Sequence, residues 1–149
     1  MKSLVMGALI LFSSISHAGL FGRGETVIAE VTYVGYGTSR ETPKKGQLRG
    51  EVYKHTADDL IIGSPYILTG TSYMEYAVKA SLTGKTENIA ALCQKLGFKN
   101  GNYSGYADAS KYNSYFNPRS GLFEVGEFTT LRVRAILCSN NNVEVLGGE

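Results

Sequence analysis

Between Lys99 and Gly121 the chain carries Tyr103, Tyr106, Tyr112, Tyr115 and Phe116 but no Leu, Ile, Val or Met. Asn, Gly and Ser fill most of the remaining positions. Tyrosine supplies broad amphipathic contact area at low entropy cost, and Ser, Gly and Asn supply adaptable hydrogen bonds. The segment reads as a long loop, and a loop of this length in a compact domain commonly carries function. Tyr103, Tyr106, Tyr112 and Tyr115 are the binding candidates within Asn100–Ser120, with Arg119 as a charged contact near its end. The competing expectation is that these rings fold down over a core short of aliphatic residues. Asn102-Tyr103-Ser104 is formally a glycosylation sequon, relevant only in a eukaryotic secretory pathway.

Patterns that would carry catalysis are sparse. Gly84-Lys85-Thr86 suggests a phosphate loop, but the glycine required five positions before Gly84 is Lys79, and Thr86 is better read as a helix cap. His55 stands near Asp58 and Asp59, a set that suits acid–base or metal chemistry but more simply forms a solvated turn. The other histidine, His17, lies in the leader described below, so a multi-histidine zinc site is excluded. No G-x-S-x-G nucleophile elbow occurs. Glu30, Glu51 and Glu75 fall on strand candidates and read as outward-facing charges. No cofactor and no metal is expected.

The elements that must position the aromatic segment begin after a leader. Residues 1–18 read as a signal peptide: Lys2, an apolar run from Leu4 to Phe12, and Ser16-His17-Ala18 before a cleavage point. The run is shorter than the roughly 20 residues that span a bilayer, so no membrane span is expected in the mature chain. Residues 19–26 read as a flexible mature N-terminus and 27–149 as a single domain. The expected address is periplasmic or secreted. With 15 basic and 13 acidic residues the chain has no electrostatic footprint for nucleic acid.

Cys93 and Cys138 are the only cysteines, and an even pair in an exported chain reads as a disulfide. Ile89, Leu92, Cys93 and Leu96 form one stripe of a helix opening at Thr86 and closing at Gly97, with Phe98 folding back toward Cys93. Strand candidates are Val27–Tyr36, Leu48–Lys54, Tyr66–Thr71, Glu75–Leu82, Phe128–Cys138 and an edge strand Val143–Leu146. Gly63-Ser64-Pro65 reads as a break and Gly37–Gly46 as an exposed loop. In the Phe128–Cys138 candidate, Leu131, Val133, Ala135 and Leu137 share a face, so Cys138 needs a bulge to reach the helix.

The run Glu87 to Phe98, ending Cys93-Gln94-Lys95-Leu96-Gly97-Phe98, resembles the helix motif of scavenger receptor cysteine-rich domains. In that family the helix cysteine bonds one near the domain's end, as Cys93 and Cys138 would. The family's other cysteines and its tryptophan-containing strand motif have no counterpart in this chain. Small exported bacterial proteins with one bridge carry similar helices. The resemblance implies ligand binding without catalysis and transfers no binding residue.

Together these features predict an α+β fold, a curved antiparallel sheet packed on one short helix and stapled by one disulfide. A small OB-like barrel with one helix is the alternative. The expected role is recognition of a cell-surface protein or glycan. A small secreted hydrolase, using Asp58, Asp59 or Glu51 on cell wall or glycan, and an enzyme inhibitor are the rival expectations.

Overall fold

A computed structural model describes residues 25–37, 42–70, 77–108 and 110–141. The leader, residues 19–24 and the Val143–Leu146 strand candidate lie outside them. The elements are β1 (Thr26–Gly35), β2 (Lys44–His55), β3 (Asp59–Thr69), β4 (Lys79–Leu82), α1 (Thr86–Lys95), β5 (Asn100–Tyr103), β6 (Tyr106–Ala107), β7 (Asn113–Asn117), β8 (Leu122–Gly126), β9 (Arg132–Val133) and β10 (Ala135–Ser139).

Strand makes up 57% of the described residues and helix 9%, and six strands close into a barrel. The α+β expectation is therefore overturned: this is a mostly β protein with one short helix. The ring runs β1-β2-β3-β4-β7-β8 and returns to β1. Nor is the sheet purely antiparallel. β1 lies parallel to β8 through Tyr33–Gly35, and β4 parallel to β7 through Ser81–Leu82. Closure needs strands that coil, and bulges supply the bend. β1 shifts register between Val27 and Ala29, and β2 shifts twice, at Arg49/Glu51 and Val52/Lys54.

β3 serves two partners on one edge. Its first half pairs with β10 from Asp59 to Gly63, and its second half pairs with β4 from Tyr66 to Leu68. The handover falls at Gly63-Ser64-Pro65, where sequence suggested a break. Ser64 takes a positive φ of 47°, and its N–H reaches the Arg134 carbonyl at 2.8 Å, one residue beyond the Gly63–Ala135 pair. The strand bends at that point and does not stop. β5 adds beyond β10 as an outer strand. Lys44 and Lys45, read as loop, belong to β2.

The segment Lys99–Gly121 is not a loop either. It builds β5, β6 and β7, and β7 is a ring strand. Three of its polar residues, Asn102, Asn113 and Ser114, are buried, and side-chain hydrogen bonds hold them, although Asn113 Oδ1 is left without a partner. Asn113 and Ser114 are fully buried; Asn113 Nδ2 donates to the Ser110 and Phe128 carbonyls at 2.9 and 2.7 Å. Aliphatic content therefore understated the strand, because side-chain hydrogen bonds replace apolar burial there.

α1 forms as expected, with Ile89, Leu92 and Cys93 buried on one stripe. Each large apolar side chain so buried contributes about 2 kcal/mol. The start differs from expectation: Lys85 is the N-cap, and its N–H donates to the Asn88 side-chain oxygen at 3.3 Å. Thr86 is the first helical residue instead. The stop is as read. Gly97 takes φ 102°, its N–H reaches the Gln94 carbonyl at 3.0 Å, and Phe98 N–H reaches the Cys93 carbonyl at 2.9 Å.

The disulfide joins Cys93 of α1 to Cys138 of β10 with Cα atoms 5.3 Å apart. Phe128–Cys138 is not one strand. Arg134 interrupts it, with its N–H on the Gly105 carbonyl at 3.1 Å. The alternation slips by one there. Val133, Ile136 and Cys138 join the core, and Cys138 meets the helix.

Candidate functional site

An open trough of about 630 Å³ gathers aromatic and polar side chains. It lies where the end of β1, the β4–α1 connection, β6, β7 and the coil after β8 converge. On one side Tyr36 stacks on Phe128, ring centres 4.5 Å apart and planes 26° from parallel. Tyr115 stands edge-on to both, 6.1 Å from Tyr36 and 6.4 Å from Phe128. Tyr36 remains 52% exposed, so this cluster presents a flat ring to solvent rather than filling the core.

Backbone pairing assembles that cluster. Tyr36 N–H donates to the Val125 carbonyl at 2.9 Å, extending the parallel β1–β8 ladder by one residue. Phe128 is held by its carbonyl on the buried Asn113 amide. Tyr115 sits opposite Glu124 in the β7–β8 pair. Glu124 is itself buried, accepting from Asn117 Nδ2 at 2.9 Å and from the Gly37 N–H at 3.4 Å. Burial first, and then the Glu124 carboxylate that accepts from it, push the Tyr115 phenol up to about 12.

Across the trough stands Tyr106. Its ring lies 4.9 Å from that of Tyr103, and the two hydroxyls are hydrogen-bonded at 2.9 Å. The Tyr106 hydroxyl also donates to the Gly84 carbonyl at 3.2 Å, tying β6 to the entry of α1. Burial, and then the Tyr103 hydroxyl, raise the Tyr106 phenol to about 12. Both wall phenols therefore stay neutral at ordinary pH, with their protons held by the Gly84 carbonyl and the Glu124 carboxylate. Polar groups line the rest: Thr83, Lys85, Glu87, Asn88, Thr129 and Thr130. Asn88 is partly spoken for, its Nδ2 donating to the Phe116 carbonyl at 2.7 Å.

The candidate residues thus divide. Tyr106 and Tyr115 line the trough, and Tyr103 backs Tyr106. Tyr112 packs against the core, with Lys111 Nζ 5.5 Å from its ring centre. Arg119 lies in the turn after β7, its N–H on Asn117 Oδ1 at 2.9 Å, and lines no part of the trough. Sequence reasoning missed Tyr36, Phe128 and the Thr83–Asn88 rim. Tyr36 carried one usable signal, an aromatic followed at once by a strand-ending glycine.

The carboxylates proposed for hydrolysis lie elsewhere. Asp59 accepts from Ser139 Oγ at 2.7 Å and pairs with Lys54 at 3.1 Å; the Ser139 bond, then Lys54, hold its carboxyl below the usual range. Asp58 accepts from Asn140 Nδ2 at 3.3 Å, and Glu51 from the Tyr53 hydroxyl at 2.6 Å. His55 is half-buried at the end of β2, and desolvation lowers its pKa. Among the described residues no group of His, Cys, Asp and Glu is placed to hold a metal ion. No described helix is long and apolar enough to cross a membrane. A smaller depression of about 210 Å³ over β1 and β2, lined by Glu30, Lys45 and Leu68 among others, contains no aromatic ring. Comparison with known proteins finds no family model, no curated protein and no solved structure that matches this chain.

Proposed function

We propose that this chain is an exported, non-catalytic binding protein that holds a glycan in the aromatic trough. The exposed Tyr36 ring, stacked on Phe128 and flanked by Tyr115, carries the reading. A sugar ring has an apolar C–H face and a polar rim. The aromatic face accepts the first, and the hydroxyl, amide, ammonium and carboxylate groups along the trough suit the second. Open shape favours a chain that passes through over a small ligand that is enclosed. Among the described residues Glu87 is the only carboxylate on the trough lining, whereas glycosidases usually set two across the scissile bond. Export is supported by the leader pattern of residues 1–18 and by the disulfide, since such bonds persist in oxidising compartments.

The test is calorimetric titration of a glycan panel into the wild-type protein and Tyr36→Ala/Tyr115→Ala. Both side chains lie at the surface of the ring, so the variant should keep its fold by circular dichroism. Binding to a panel member, weakened at least tenfold in the variant, supports the reading. Equal binding by both proteins overturns it, as does binding to a surface protein with no affinity for any glycan. Turnover of a bound glycan, abolished in Glu87→Gln, would replace binding by hydrolysis.

A further inference from the structure

We infer that the glycan is acidic, and that Arg132 and Arg134 take its negative groups. This rests on the glycan reading of the trough and deepens it. A second depression of about 460 Å³ meets the trough at Tyr106 and Leu131, which line both. Its remaining walls are Ala107, Asp108, Arg132 and Arg134. The small β6–β9 ladder builds it, with Tyr106 opposite Val133 and Ala107 opposite Arg132.

Three observations point to an anion. Arg134 Nε donates to the Tyr106 carbonyl at 2.8 Å, which fixes one side of its guanidinium and leaves the other donors of the fork for a ligand. Among the described residues the ion pairs are Lys54–Asp59, Lys79–Glu25 and Lys111–Glu127, so neither arginine is paired. Asp108 is the single carboxylate on the depression, against two guanidiniums, and on the trough side Lys85 offsets Glu87. Exposed Leu131, between the two depressions, gives an apolar step for the sugar backbone. A chain stacked on Tyr36 would run past Tyr106 and Leu131 and bring later units to the arginines. The arginine fork matches a carboxylate in bidentate fashion and serves a sulfate with the same donors.

The experiment titrates three probes of equal length at low and at physiological salt: an oligogalacturonate, a heparin-derived oligosaccharide and a neutral cello-oligosaccharide. Polyglutamate serves as a charge-only control. Because Arg134 supports Tyr106, the main variant is Arg132→Glu, with Arg134→Gln second, and thermal melting verifies both folds. Expected is tighter binding of at least one acidic sugar than of the neutral one, weakened by salt. Arg132→Glu should weaken that binding about tenfold and leave the neutral sugar unchanged. The uronate and heparin arms then tell carboxylate from sulfate. Equal affinity for acidic and neutral sugars, untouched by Arg132→Glu, overturns this inference and leaves the glycan trough standing. Polyglutamate binding as tightly as the acidic sugars, with Tyr36→Ala without effect, also overturns it, by showing a bare charge patch. Failure of every probe sinks both proposals.

Discussion

Three phenols carry the clearest signature at the scale of single residues. Tyr66, Tyr106 and Tyr115 are each pushed up to about 12, with burial as the largest cause. Their partners differ: the Glu25 carboxylate at 2.7 Å for Tyr66, the Tyr103 hydroxyl for Tyr106, and the Glu124 carboxylate for Tyr115. An unfolded tyrosine loses its proton near 10. Between about 10 and 12 the folded chain therefore holds more protons than the unfolded chain, and stability must fall as pH rises through that window. Absorbance titration of the phenolate should show a late group of tyrosines that merges with the rest on unfolding. Replacing Tyr66 by Phe should remove one member of that group. A glycan bound over Tyr115 should push the late group later still, because it buries the ring further. The trough itself was only half legible in the chain. Tyr106 and Tyr115 stood out in a segment empty of aliphatics, whereas Tyr36 and Phe128 meet only because β1 lies along β8, far away in sequence.

At the scale of elements, α1 depends on what it is fastened to. A ten-residue helix is marginal alone, and the Cys93–Cys138 bond fixes it to β10. Closing a loop of that length stabilises by about 4 kcal/mol in the chain-entropy model. Cys93→Ser should lower the unfolding free energy by a similar amount in a denaturant titration, and a reductant should add nothing further to the variant. Gly101 tests the same contact from outside. It pairs with Cys138, and a Cβ there would overlap the Cys93 sulfur and stand 3.1 Å from the Ile89 carbonyl. Gly101→Ala should cost about 1–3 kcal/mol, since the bridge has no room to yield. Helix and bridge were legible because both are written locally: an apolar stripe, a stop glycine and two cysteines. Ring strand β7 was not, because Asn113 and Ser114 are buried by hydrogen bonds to distant carbonyls that no local pattern announces. The slip at Arg134 was anticipated only as a need, since Cys138 lay on the wrong face of an unbroken strand.

For the molecule as a whole, stability also falls on the acid side. Desolvation lowers the His55 pKa below its ordinary 6.5, so below that pH the unfolded chain takes up a proton that the folded chain resists. Stability should decline as pH falls through that window, and His55→Gln should flatten the slope. A second decline follows lower down. Glu25, held by Tyr66 and then Lys79, and Asp59, held by Ser139 and then Lys54, both have depressed pKa values. Their contribution is present above about 4.5 and is lost as pH drops through their folded values. Melting temperature against pH measures both steps. Class and topology were the least legible level: bulges, a strand shared between two neighbours and two parallel pairings decide them, and each depends on contacts between remote segments. Parallel closure has a kinetic corollary. β1, β2 and β3 are joined by short connections and can zip together early, but β1 finds β8 only when Tyr33 meets Phe123. Contacts so distant along the chain slow folding. Until roughly the last fifth of the polypeptide arrives, the nascent ribbon shows an unpaired flank, and whatever escorts it must shield that flank from its neighbours.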